Sequence, residues 1–230
     1  MSLRRPLTAV LAASALVGSG LLSGCGVSGT QFYPGEAARI DGDVITVGEV
    51  DEAAAGMCEV LTTDPRLEGQ VFSGATIRNA AERGLVLRQI GVELLDEYDI
   101  ETIPDDIDDG ANAIRDNYRD ADEGAIEAAL PAFTGDQFLF GVLLLIGRDE
   151  VGEEASEEEA VAAGVQRAQV WQESADIEIN PAFDAIEIGD EQVLTSRDDV
   201  SVAVSDFAVS AATDVDGGAA DLPESQRCGR

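Results

Sequence analysis

The 230 residues contain no histidine and no lysine, so all fourteen cations are arginines. Without imidazole there is no Ser-His-Asp or Cys-His nucleophile, no His-containing zinc site and no ordinary imidazole acid–base pair. Without lysine, Schiff-base chemistry and the phosphate-loop ammonium are excluded as well. Positive charge is scarce altogether: 46 Asp and Glu stand against 14 Arg, a formal charge of −32. That balance excludes a nucleic-acid binder, because a phosphate backbone is held by clustered cations that displace its counterions. Aromatic residues make up only 5% of the chain, with one tryptophan, so any apolar surface must be mostly aliphatic.

The rest of the composition is that of a globular protein. Hydrophobic residues make up 45% of the chain, and the length suits one medium domain or two small ones with a real core. The carboxylate surplus reads first as a solvated exterior that keeps the chain soluble and second as a means of selecting basic clients.

Arg4 and Arg5 precede an apolar stretch from Leu7 to Leu22, which ends in Leu22-Ser23-Gly24-Cys25. A positive start, a short apolar run and small residues before a cysteine form an export signal rather than a membrane span. The Leu-Ser-Gly-Cys segment resembles the lipobox of bacterial lipoproteins. That resemblance implies cleavage before Cys25, a diacylglyceryl group with palmitate-like chains on its sulfur, and residence at the outer face of the cell membrane. Each buried CH₂ of such an anchor contributes roughly 0.8 kcal/mol. The expected organisation is a signal peptide over 1–24, a lipidated tether over 25–36, a helical domain over 37–188 and an acidic extension over 189–230.

Three cysteines occur. With Cys25 acylated, Cys58 and Cys228 remain in a compartment that permits disulfides, and a bond between them is expected. The alternative is two separate thiols, Cys58 buried on a helix face and Cys228 frayed with the tail. Closing so long a loop stabilises by about 5 kcal/mol on the chain-entropy estimate and usually by less in practice.

Asp41-Gly42 sits between two short apolar stretches, the pattern of a β-hairpin over residues 38–46. Thr46 and Glu49 then form a capping box ahead of a helix that buries Val47, Val50, Ala54, Met57, Cys58 and Leu61 and ends at Pro65. A long amphipathic helix runs from Gly74 to Tyr98, with Ile77, Ala80, Ala81, Gly84, Leu87, Gly91, Leu94, Leu95 and Tyr98 on its apolar face. A third helix is capped by Thr102, with Pro104 in its first turn and Ile103, Ile107, Ala111, Ile114 and Tyr118 on one face. A short helix from Ala121 to Leu130 stops at Pro131. The apolar segment Phe138–Ile146 is too short to span a bilayer and reads as the central core helix. Residues 149–159 form an acidic loop leading into a helix capped by Ser156, whose buried face carries Val161, Val165, Ala168 and Trp171. Ile177–Ile179 and Ile186–Ile188 alternate as strands around an Asn180-Pro181 turn, and Val200–Val209 is a further possible strand. The fold class is therefore mainly α, with a small β-layer formed by the N-terminal hairpin and C-terminal strands.

The order of these elements carries a resemblance. The opening Ala38-Arg39-Ile40-Asp41-Gly42-Asp43-Val44-Ile45-Thr46, the junction Ile100-Glu101-Thr102-Ile103-Pro104 and the entry Phe133-Thr134-Gly135-Asp136-Gln137-Phe138 resemble the N-terminal domain of SurA-like chaperones. With the lipobox and the ending Leu222-Pro223-Glu224-Ser225-Gln226-Arg227-Cys228-Gly229, the chain is similar to actinobacterial lipoproteins that carry such a domain. No parvulin-type isomerase domain accompanies it, and Asn180-Pro181-Ala182-Phe183 departs from the family, which has a basic residue and a glycine near the aromatic. The resemblance implies ATP-independent binding of unfolded exported polypeptides, with no catalysis and no cofactor. The alternative is an envelope-assembly scaffold that binds one dedicated partner.

Other chemistry is weakly indicated. So many carboxylates form close pairs by chance, so no glycosidase pair can be read from them. Asp105–Asp116 has the outline of a calcium loop, but Ile107 occupies a ligand position, so no metal is expected. Phe138, Phe140 and Trp171 are the candidate client contacts, against the ordinary expectation that large apolar residues at helical spacing are core.

Overall fold

A computed structural model of the chain describes residues 34–101, 103, 105–152, 154–189, 193–196 and 218–229. The chain divides into two units, Met1–Gln31 and Phe32–Arg230, and every described residue belongs to the second. Cys25, Thr102, Pro104 and the possible strand Val200–Val209 lie outside the described residues.

The β-hairpin forms as expected. Strands β1 (Glu36–Ile40) and β2 (Asp43–Thr46) pair antiparallel across Asp41 and Gly42, whose φ angles of 47° and 100° are those of a tight primed turn. Glu36, expected in the tether, is already the first residue of β1. Helix α1 (Val47–Thr63) starts on the Thr46–Glu49 capping box, a feature that contributes about 1 kcal/mol. Its buried face is Val50, Ala53, Met57 and Val60. The expected stripe is rotated slightly, and Ala54, Cys58 and Leu61 sit half-buried at its margin.

Helix α2 (Gly74–Glu97) is the axis of the molecule and packs against α1, α4 (Glu123–Phe133) and α5 (Gly135–Val151). Ile77, Ala81, Leu87, Ile90, Leu94 and Leu95 are buried, whereas Ala80, expected on this face, is exposed. Val86 and Ile90 take its place because neighbours on both sides widen the buried arc. Helix α3 (Asp105–Asn117) follows, with Ala111, Ile114 and Tyr118 packed on the core; Ile103, expected on that face, is exposed.

Two boundaries differ from expectation. Pro131 does not stop α4, which continues to Phe133. The ring sits in the last turn, where the missing N–H costs only one bond, and both the backbone N–H and the hydroxyl of Thr134 donate to the Leu130 carbonyl at 2.9 and 2.8 Å. Helix α5 is also longer than its apolar stretch, with Asp149, Glu150 and Val151 continuing it. Helix α6 (Glu157–Gln172) then opens on a Ser156–Glu159 capping box.

Glycines bring the helices into backbone contact. A Cβ on Gly84 would collide with the carbonyl of Ala132, and one on Gly135 would collide with Gly84 itself. A second seam joins α5 and α6, where a Cβ on Gly147 or Gly164 would meet the backbone of Ala160 or Leu143. Among the described residues no single helix is long and apolar enough to cross a membrane; α4 and α5 pass that test only together, across a 42° bend.

The small β-layer draws on residues near both termini. Strand β4 (Ile177–Ile179) pairs with β1, giving a sheet of order β2-β1-β4 with Arg39 opposite Glu178. Asp41 accepts from the backbone N–H of Asp176 at 2.8 Å, and Asn180 donates to the Glu36 carbonyl at 2.8 Å, so the hairpin clasps the chain leaving α6. The Asn180-Pro181 turn forms, but β4 and β5 (Ala185–Ile188) belong to different sheets, and β5 pairs instead with β6 (Val193–Ser196), which the sequence pattern did not reveal. A last pair joins β3 (Phe72–Ser73) to β7 (Arg227–Cys228).

Candidate functional site

Cys58 and Cys228 form a disulfide with their Cα atoms 5.5 Å apart, across a separation of 170 residues. The bond lies beside the β3–β7 pair, where Phe72 faces Cys228. It ties residues near the C-terminus to the last turns of α1 and the start of α2.

The three candidate client contacts separate. Phe138 is fully buried, with the Arg88 guanidinium 4.6 Å from its ring centroid and its ring edge against Gly91. Trp171 is also core. Phe140 is 45% exposed, because two residues along a helix turn a side chain by about 200° to the opposite face. Of the three, Phe140 alone meets solvent.

Phe140 lines a cleft of about 540 Å³ between α5, α6 and the end of β5, within the size range of peptide and small-molecule sites. Leu139 and Leu143 of α5, Val161 and Val165 of α6, and Ile188 supply its apolar wall. The α5–α6 glycine seam sets the spacing of these walls, and the Gln172 side chain accepts from the Ile188 N–H at 2.8 Å to hold β5 against α6. At one end Arg83 donates to Asp136 at 2.6 Å. The Gly84–Gly135 contact explains that pair, since it brings the residues next to each glycine together. The cleft is thus aliphatic and its nearest charges cancel.

A second cleft, of about 380 Å³, opens between β2, α1, α2 and α4. Val44 and Val92 in its wall are 39% and 36% exposed. Glu49, Glu52 and Glu127 stand around it with Arg88. Helical spacing could have linked Glu49, Glu52 and Ala53 on one face of α1, but nothing local signals that Val44 and Val92 approach each other.

Glu82 is the residue that sequence reasoning missed. It is wholly buried on α2, and neither carboxylate oxygen has a hydrogen-bond partner. Burial, reinforced by the nearby charge of Asp184, pushes its pKa up to about 8. The side chain is therefore largely protonated at neutral pH. Among the described residues no cluster of three or more His, Cys, Asp or Glu side chains is arranged to hold a metal ion, and the Asp105–Asp116 stretch lies wholly within α3 rather than in a loop. No protein-family model, curated protein or solved structure matches this chain.

Proposed function

We propose that the protein is exported, held at the outer face of the cell membrane by a lipid on Cys25, and binds apolar segments of unfolded exported polypeptides without ATP and without catalysis. The observation that carries this reading is the aliphatic cleft with Phe140 half-exposed at its wall. Burying client side chains against so small a surface gives weak, reversible association, because only the surplus over lost translational and side-chain freedom remains as affinity. The export signal before Cys25 supports the location, and a Cys58–Cys228 disulfide suits an oxidising compartment. The acidic exterior would keep protein–client complexes in solution.

The test is suppression of aggregation. At several-fold molar excess the full chain should slow light scattering by a denatured client diluted into buffer, and Phe140→Ser should weaken that effect. No suppression would overturn the reading. Cross-linking in cells that recovers one abundant protein rather than a range of unfolded ones would replace it with a dedicated scaffold. Recovery of the chain from cytosol with its leader intact and no lipid would remove the location.

A further inference from the structure

We propose that the cleft between β2, α1, α2 and α4 is a docking site for an extended cationic polypeptide segment, one that adds as a strand along β2 and alternates aliphatic with arginine or lysine side chains. The inference is independent of the reading above, since it concerns another surface and does not require an unfolded partner.

Three observations converge. The first is the sheet order β2-β1-β4, which makes β2 an edge: among the described residues no strand pairs along its outer side. An unpaired edge leaves backbone donors and acceptors for an incoming strand, here over Asp43–Ile45, since the Thr46 N–H already donates to Glu49. The second is the apolar strip beside that edge. Val44 on β2 and Val92 on α2 are both large, aliphatic and more than one-third exposed, with Ala128 and Pro131 of α4 completing the wall. Alternate side chains of an added strand would reach this strip.

The third observation is charge. Glu127 is matched by Arg115 at 2.7 Å, and the lining cation Arg88 is drawn onto the Phe138 ring. Glu52 is exposed on the α1 wall, and Glu49 next to it accepts, among the described residues, from Thr46 of its own cap. The lining residue Gln89 donates to both Asp43 and Glu93, holding two further carboxylates close behind the cleft wall. An aliphatic strip ringed by carboxylates repels acidic partners and gains from a segment that brings cations beside its apolar side chains. An anionic membrane surface, which also offers apolar contact, is disfavoured by the same carboxylates.

The full chain would be titrated into three labelled nine-residue peptides sharing a Val/Ile alternation, with Arg, Gln or Glu at the intervening positions, and anisotropy recorded. The Arg peptide should bind about tenfold tighter than the Gln peptide at low ionic strength, and the Glu peptide weakest; the gap should narrow several-fold at about 0.5 M salt. Glu52→Gln and Val92→Ser should each weaken the Arg peptide several-fold, whereas Phe140→Ser, in the other cleft, should leave it unchanged. An Arg peptide N-methylated at alternate backbone nitrogens, unable to donate along one edge, should lose about tenfold. Equal affinity for the three peptides, indifference to Glu52→Gln and Val92→Ser, undiminished binding of the N-methylated peptide, or no binding at all would overturn the proposal. Aggregation suppression without peptide binding would sink this inference alone, and the reverse result would sink only the chaperone reading.

Discussion

Both clefts touch helix α2, the first through Arg83 alone at one end and the second through Leu85, Arg88, Gln89 and Val92 in its wall, yet they differ in what surrounds their apolar residues. The Phe140 cleft ends in an Arg83–Asp136 pair and is electrically quiet there. The Val44–Val92 cleft keeps Glu49 and Glu52 at its rim, while its lining arginine is occupied with an aromatic ring. A chain with an overall charge of −32 can therefore present both a neutral and an acidic apolar surface. What decides between them is where the few arginines fall, since fourteen cations cannot offset every carboxylate and each one placed in a pair removes local selectivity.

The sharpest way to break this comparison is to move helix α2, which both clefts touch. Gly84→Leu places carbon where the Ala132 carbonyl lies, so α2 must part from α4. A loss of about 3 kcal/mol or more is expected, read by denaturant unfolding, with both clefts impaired together. Unchanged stability would show that the seam is not tight.

Protonation of Glu82 comes next. In the unfolded chain this carboxyl ionises near 4.5, whereas in the folded protein it keeps its proton to about 8. The folded state therefore binds more protons between those values, and stability falls as pH rises through that window, by roughly 5 kcal/mol in total from this group. Glu82→Gln should flatten this part of the pH profile and be more stable than the parent at pH 9. A profile that keeps its slope in the variant would assign the effect elsewhere.

Removing the Cys58–Cys228 bond by the double change to serine should cost about 3 kcal/mol. Hydrogen exchange should show residues 218–229 losing protection before the α2 core does. Ser156→Ala should cost about 1 kcal/mol by removing the α6 cap, and so test the wall that carries Val161 and Val165. The smallest change in stability, within about 0.5 kcal/mol, is expected for Phe140→Ser and Val92→Ser, because both side chains already meet water. These two variants separate the clefts most cleanly, each affecting the binding of one ligand class while leaving the fold intact.

Features set by neighbours in the chain were legible in advance. The Asp41-Gly42 turn, the Thr46–Glu49 and Ser156–Glu159 capping boxes and the helical stripes rest on interactions spanning a few residues, so a linear reading finds them. The disulfide was legible for another reason, because a count of three cysteines with one assigned to the lipobox left a single pair.

Features that depend on distant residues were not. Whether β4 pairs with β1 or with β5, whether Phe138 or Phe140 meets solvent, and that a glutamate lies wholly inside the core were all decided by packing. A helical stripe tells which side chains share a face but not how wide an arc its neighbours will cover, which is why Ala80 is outside and Glu82 inside. The amino-acid order alone determined a capped, mostly helical, disulfide-linked acidic domain with a hairpin at its start. Only the tertiary structure decided where its apolar surface remains open, because a cleft is bounded by residues such as Val44 and Val92, far apart in the chain, whose approach no local pattern encodes.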